Sequence, residues 1–165
     1  MKKFCEEGQL DKAIHSLNLL NEGGYRVSSS IFYRLLQECS SKGNLQIAKD
    51  LYSLIIKSGF ATDVFLGSHL IRLFTFFGSL PVAYHIFCNV CKPNVFAWTA
   101  IISAHSKLGQ GEVGFDLYIK MLESDVKADG FAFVAALQAC ISSLGLKQGK
   151  LVHAHIVEAS FESDI

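Results

Sequence analysis

The residues best suited to chemistry in this sequence are its cysteines and histidines. Cys88-Asn-Val-Cys91 has the spacing of half a zinc site. A closed zinc site needs four ligands, usually two such pairs or one pair with two histidines, and no second pair is present. His153 and His155 stand two residues apart, so their imidazoles point in different directions on a helix. We therefore predict no metal site and no cofactor.

Sequence motifs of enzymes are missing as well. The sequence has neither a Gly-rich phosphate loop nor a G-x-S-x-G nucleophile elbow. No His is followed two residues later by Glu, and Cys88 is not preceded by Pro, so the two motifs of a zinc-dependent deaminase are absent. We predict that this sequence has no catalytic activity of its own.

Composition favours a folded intracellular domain. Half of the 165 residues are apolar, which is enough for a substantial core. The formal net charge is zero, so any contact with nucleic acid must depend on a local surface. Five scattered cysteines argue against a disulfide framework and for a reducing compartment.

No membrane or secretion signal is predicted. Phe4 is followed at once by Glu6 and Glu7, so no apolar signal segment is visible. The most apolar segment, residues 73–90, is interrupted by Gly78 and Pro81. We interpret it as buried helices and predict no membrane partner.

Internal repetition is the strongest feature of the sequence. Glycines recur at intervals of 35, 35, 31 and 36 residues, at Gly8, Gly43, Gly78, Gly109 and Gly145. Small residues follow at similar intervals (Ala13, Ala48, Ala83, Gly114, Gly149), and large ones after them (Leu17, Tyr52, Phe87, Tyr118, His153). Ten residues between Phe32 and Asp63 also recur unchanged 101 positions later. A period of this size is typical of a solenoid built from supersecondary units.

Within each unit the apolar spacing is helical. Phe32, Leu35, Leu36 and Cys39 lie at i, i+3, i+4 and i+7, on one face of a helix. A second apolar stripe begins after each glycine. Each unit is therefore predicted to be a helix, a glycine-bearing turn and a second antiparallel helix, with the small residue allowing close helix approach. Since one hairpin cannot cover its own apolar stripe, the hairpins must stack into an all-α solenoid.

The units resemble pentatricopeptide repeats, specifically the plant subclass in which repeats of three lengths alternate. Val95 to Gly109 is similar to the start of the standard repeat, Gly130 to Ile156 to the long one, and Val64 to Ile71 to the short one. The resemblance implies a right-handed superhelix. It also gives a register: partial standard repeat 1–28, long 29–63, short 64–94, standard 95–129 and long 130–164. Ile165 would open a further repeat, as expected for part of a longer array.

The resemblance implies single-stranded RNA as the partner. In this family the fifth and last residues of a repeat select one base, and residues at the second position sandwich it. The selecting pairs are then Ser68 with Asn94, and Thr99 with Asp129. An Asn amide can donate to the ring nitrogen of A or C, whereas an Asp carboxylate accepts from the imino N–H of G or U. With a small hydroxyl at the fifth position, the expected sequence is AG.

Other positions have weaker or different expected roles. The long repeats place Tyr33 with Asp63 and Val134 with Asp164, pairs that fit the code poorly and receive no base. Phe65, Phe96 and Phe131 are the expected base-stacking residues, with partial burial between repeats as the alternative. Lys107 is a candidate phosphate contact. Each polar residue also has an alternative role in helix capping or as a solvated surface residue.

The resemblance also implies a cellular role. Such arrays act in mitochondria or chloroplasts, and this subclass mostly guides C-to-U RNA editing, with a deaminase or another editing factor as partner. No transit peptide is visible. The alternative is a peptide-binding helical-repeat scaffold, because related solenoids bind peptides in the same groove. Uncapped apolar ends also predict self-association.

Overall fold

The computed structural model describes residues 10–42 and 44–163, and all regular secondary structure in these ranges is α-helical. The chain divides into two compact units after Lys92. The first unit contains α1 (Leu10–Glu22), α2 (Ser29–Lys42), α3 (Leu45–Lys57), α4 (Val64–Phe76) and α5 (Leu80–Asn89). The second contains α6 (Val95–Lys107), α7 (Gly111–Glu123), α8 (Gly130–Ser142) and α9 (Leu146–Ser163).

Helical hairpins stack inside each unit. In the first unit α2 pairs with α3 and α4 with α5, while α2 also packs on α4 and α1 on α3. In the second unit α6 pairs with α7 and α8 with α9, while α6 and α7 both pack on α8. First helices thus lie beside first helices, as a helical-repeat solenoid requires. The predicted all-α repeat fold is confirmed.

The predicted apolar stripes form the core. Phe32, Leu35, Leu36 and Cys39 are all buried on α2. Burial raises the pKa of the Cys39 thiol to about 11, because the thiolate would lose its hydration. The apolar segment 73–90 divides between α4 and α5, as expected from Gly78 and Pro81. None of the helices in the described ranges combines the length and apolar character needed to cross a membrane.

The turns inside the hairpins show that one glycine of the repeating series, Gly145, does not occupy the position equivalent to the others. Gly78 and Gly109 follow α4 and α6 with φ of 72° and 74°. After α8 the equivalent residue is Leu144, with φ 54°, and not Gly145. In each turn the next residue donates its N–H to the carbonyl five residues before it: Ser79 to Phe74, Gln110 to His105, and Gly145 to Cys140. This bond closes a Schellman motif, so backbone geometry, not glycine itself, defines the repeat. Gly43 lies outside the described residues.

The small-residue prediction holds for most hairpins and is wrong for the last one. Ala13, Ala48 and Ala83 are fully buried. A Cβ on Gly114 would lie 3.1 Å from the Cβ of Ala139 and 3.3 Å from the carbonyl oxygen of Ile102, so the helices approach closely there. A Cβ on Gly149 would meet nothing within 4 Å. His153, the last of the large residues in the repeating series, is exposed, and α9 packs chiefly against α8.

Candidate nucleic-acid interface

The last residue of three predicted repeats caps the helix that follows it. Asp63, Asn94 and Asp129 precede α4, α6 and α8, and the side-chain oxygen of each accepts a backbone N–H. The donors are Leu66 at 2.8 Å, Ala97 at 3.0 Å and Ala132 at 2.8 Å, respectively. The capping role is therefore real at all three candidate base-selecting positions. Because a carboxylate has two oxygens, capping by Oδ1 leaves Oδ2 of Asp129 for another donor.

The two fifth-position hydroxyls differ in their environment. Ser68 is 4% exposed, and its hydroxyl donates to the carbonyl oxygen of Val64 at 2.6 Å. Thr99 is half-buried, and its hydroxyl oxygen is enclosed without a hydrogen-bond partner in the described part of the chain. An unsatisfied buried hydroxyl costs about 1–3 kcal/mol, and because the Thr99 oxygen is enclosed, its side chain must rotate before a ligand can reach it.

The candidate pairs are placed differently in the two units. Thr99 lies in the first turns of α6, and Asp129 lies at the N-terminus of α8. These two helices pack against each other within the second unit. Ser68 belongs to the first unit, whereas Asn94 belongs to the second.

The three second-position phenylalanines are on the surface. Phe65, Phe96 and Phe131 begin α4, α6 and α8 and are 53%, 59% and 76% exposed. Phe65 is partly buried, and its ring packs on Tyr33 of the preceding repeat, as the packing alternative expects, whereas Phe131 is largely exposed. An exposed ring next to a capping Asp or Asn is the shared feature of these helix starts, and such rings can stack on a base.

In the first unit, Phe65 belongs to a cluster of three rings. Its ring centroid lies 5.0 Å from that of Tyr33 and 4.8 Å from that of His69, and Tyr33 and His69 are 4.8 Å apart. The Gln37 side chain donates to the Tyr33 hydroxyl at 2.8 Å. Burial, and secondarily the charge of Arg72, lower the pKa of His69, which favours the neutral imidazole.

Sequence reasoning did not single out His69 or Gln37. Both follow an assigned aromatic residue by four positions, Phe65 and Tyr33, so each shares a helix face with it. That spacing is the only sequence signal for the cluster. The contact between α2 and α4 is needed to bring Tyr33 to it.

The remaining predicted residues are placed as follows. Val134 is exposed on α8, and Lys107 is exposed as the last residue of α6, where its charge also suits the helix dipole. Tyr33 is half-buried in the ring cluster. Asp164 lies outside the described residues.

Charge is distributed unequally between first and second helices. The first helices, α2, α4, α6 and α8, contain four basic residues and one acidic residue: Arg34, Lys42, Arg72 and Lys107 against Glu38. The second helices contain six basic and eight acidic residues. With the caps Asp63 and Asp129 included, the first helices and their starts carry four basic and three acidic residues, a small basic excess where a phosphate backbone would lie.

The four cysteines in the described part of the chain form a buried and an exposed pair. Cys39 and Cys140 are buried, while Cys88 and Cys91 are exposed thiols at the end of α5 and just after it. Within the described ranges, no three His, Cys, Asp or Glu residues are grouped so as to hold a metal ion.

Comparisons with known proteins agree with the repeat architecture. A family model described as the PPR repeat matches residues 96–126. A chloroplastic pentatricopeptide repeat-containing protein of Arabidopsis thaliana is 30% identical over 163 residues, which are 98% of this chain and 19% of that protein. A mitochondrial one from the same plant is 27% identical over 165 residues, covering 100% of this chain and 16% of that protein. The chain thus spans about a fifth of the length of these relatives.

A solved structure shares the fold at low sequence identity. The PPR domain of Arabidopsis thaliana protein-only RNase P 1, in complex with tRNA, superposes with a TM-score of 0.72 and 13% identity. The match covers 96% of this chain and 86% of that domain. This likeness shows the fold, and the family model together with the sequence relatives assigns the chain to the pentatricopeptide repeat family.

Proposed function

We propose that this chain binds single-stranded RNA along its first helices and selects bases at two of its repeats. The observation that carries the proposal is the repeated helix start in the second unit. In α6 and in α8, the second residue of the helix is an exposed phenylalanine, Phe96 or Phe131. The polar cap, Asn94 or Asp129, lies two positions before it. A ring for stacking beside a polar atom for edge recognition is how repeat proteins read single-stranded RNA.

The chemistry of the standard repeat favours guanine. Oδ1 of Asp129 is engaged by Ala132, so Oδ2 is the atom that accepts from the imino N–H of a base. Thr99 contributes small size, which leaves room for a purine at this position. By the family's code this pair reads G.

The short repeat is proposed to read adenine through Ser68 and Asn94. The Asn94 amide can donate to N1 of A, which carries no hydrogen, whereas N1 of G is itself a donor. Ser68 contributes small size, because its hydroxyl already bonds to Val64. The expected RNA element is therefore AG, read 5′ to 3′ along the chain.

We further propose a role in organellar RNA metabolism, as a member of the subclass with alternating repeat lengths that guides C-to-U editing. The register of long, short and standard repeats supports the subclass. The chloroplastic and mitochondrial relatives support the location. A deaminase or another editing factor would then supply the chemistry.

Selection from random RNA, using the longer protein that contains this array, tests the proposal. We expect enriched sequences to contain AG. Neutralisation of about four phosphates by the first-helix cations of this chain contributes about −3 to the salt slope of the longer protein, which alone weakens binding about fifty-fold between 50 and 200 mM salt. Recovery of no RNA, together with peptide binding that is insensitive to salt, would instead establish the scaffold alternative.

A further inference from the structure

We propose that Tyr33, Phe65 and His69 form a stacking surface for one nucleobase of any identity, so that the long repeat 29–63 adds affinity without base selection. This inference rests on the proposed RNA binding, and it gives a function to a repeat whose selecting pair fits no code. The surface lies entirely within the first unit, on α2 and α4.

The geometry of the cluster supports stacking. Its three ring centroids lie 4.8–5.0 Å from one another, at interplanar angles of 44° to 75°. These are the offset and edge-to-face arrangements that aromatic pairs prefer, so the rings hold each other in place. Phe65 is about half exposed even so. The cluster therefore presents an accessible ring supported by two others.

Tyr33 is unsuited to base selection in this arrangement. Tyr33 is the fifth residue of its repeat. The fifth residues of the other repeats considered for base reading are Ser68 and Thr99, which have short side chains with a hydroxyl close to the backbone. The Tyr33 hydroxyl is instead held by the Gln37 amide at the far end of a ring that packs on two others. What Tyr33 adds at this surface is ring area, which every base can use.

Charge at the cluster suits RNA better than an apolar peptide. Arg72 is exposed on α4 one turn after His69 and close enough to influence its titration. Arg34 is exposed on α2, next to Tyr33 in sequence. A ring cluster with the Arg72 guanidinium close to it offers a stacking surface for a base and a positive charge for a phosphate of the same strand.

The test measures binding of the longer protein to RNA probes that carry A, G, C, U or an abasic site, moved one nucleotide at a time across AG and its 5′ side. At the nucleotide 5′ of the predicted A, we expect the four bases to bind within about twofold of one another. The abasic probe should bind about 5- to 100-fold more weakly, as expected for one stacked base.

Variants identify the surface. Tyr33→Leu and Phe65→Leu should each weaken binding about tenfold and remove most of the abasic effect. Tyr33→Phe, which keeps the ring and is the milder change for folding, should bind like the wild type. Tyr84→Leu is the matched control, because Tyr84 is an exposed ring on α5, a second helix of the same unit.

The outcomes separate the two proposals. If the wild type binds RNA but Tyr33→Leu binds equally well, or if Tyr33→Phe changes base preference, the stacking surface is wrong and RNA binding stands. If the wild type shows no salt-dependent RNA binding, both proposals are wrong. A base preference larger than tenfold at this nucleotide in the wild type would also overturn the stacking inference.

Discussion

Oδ1 of Asp129 accepts the backbone N–H of Ala132 at 2.8 Å, so the side chain assigned to base selection also starts the helix. Asp63 and Asn94 make the same bond to the third residue of their helices. A position that must cap a helix is restricted to a few short polar residues before any ligand is considered. Asp and Asn both satisfy the cap, and they differ in the hydrogen bonds that they offer a base. One position can therefore serve folding and recognition together.

Removing the cap of the long repeat 29–63, which is proposed to stack on a base without selecting it, should lower stability without changing base preference. We expect Asp63→Ala to lower the free energy of unfolding by about 1 kcal/mol, because the N–H of Leu66 loses its acceptor. Asp63→Asn, which keeps an acceptor, should stay within about 0.5 kcal/mol of the wild type. Urea unfolding followed by circular dichroism measures both. Equal stability of the two variants would show that the cap contributes nothing.

Gly67 on α4 is required by the packing of Val90. A Cβ on Gly67 would collide with Cγ2 of Val90 but would lie 3.7 Å from its Cβ. We expect Gly67→Ala to destabilise the wild type by about 1–3 kcal/mol through overpacking. In a Val90→Ala background the same change should be neutral or stabilising by up to about 1 kcal/mol, since Ala is the better helix former. A double-mutant cycle measures this, and the same loss in both backgrounds would disprove the contact.

Replacing Leu144 with glycine should increase the stability of the fold. Leu144 has a φ of 54°, and the equivalent residues of the other turns are Gly78 and Gly109. Its side chain is 91% exposed, so little packing is lost with it. Relief of the left-handed strain, about 1–2 kcal/mol, exceeds the extra chain entropy of glycine, about 0.5–1 kcal/mol. Leu144→Gly should therefore raise stability by about 0.5–1 kcal/mol.

The matched control for this prediction is Leu108→Gly. Leu108 is also an exposed leucine in a hairpin turn, but its φ is −88°. Thermal unfolding should show a gain for Leu144→Gly and none for Leu108→Gly. A loss of stability in Leu144→Gly would contradict the strain argument.

The repeat period and the apolar stripes predicted most of the fold, because both are local patterns along the chain. Phe32, Leu35, Leu36 and Cys39 are buried as their spacing indicates. Gly145 was wrongly aligned because a Schellman turn is defined by backbone bonds, which Leu144 also satisfies at some cost. The exposure of His153 depends on which helices pack on α9, and this tertiary packing cannot be predicted from the local sequence pattern.

The candidate site was predictable in outline only. Register gives the positions of Asp129 and Phe131, but not the engagement of Oδ1 or the exposure of the ring. Likewise, spacing places Ser68 and Thr99 equivalently, although one hydroxyl is bonded within its helix and the other has no partner in the described chain. The ring cluster needs α2 packed on α4, a tertiary contact beyond any local pattern.

The most direct test of the central claim is the base preference of Asp129→Asn in the longer protein, measured with probes that differ only at the predicted G. Asn preserves the cap on α8, so the free energy of unfolding of the variant should stay within about 0.5 kcal/mol of that of the wild type. A change in base preference then reflects recognition and not folding. We predict that preference at this nucleotide changes from G to A by about tenfold or more, as expected for one exchanged base-edge contact. An unchanged preference for G in the folded variant would contradict base reading by Asp129.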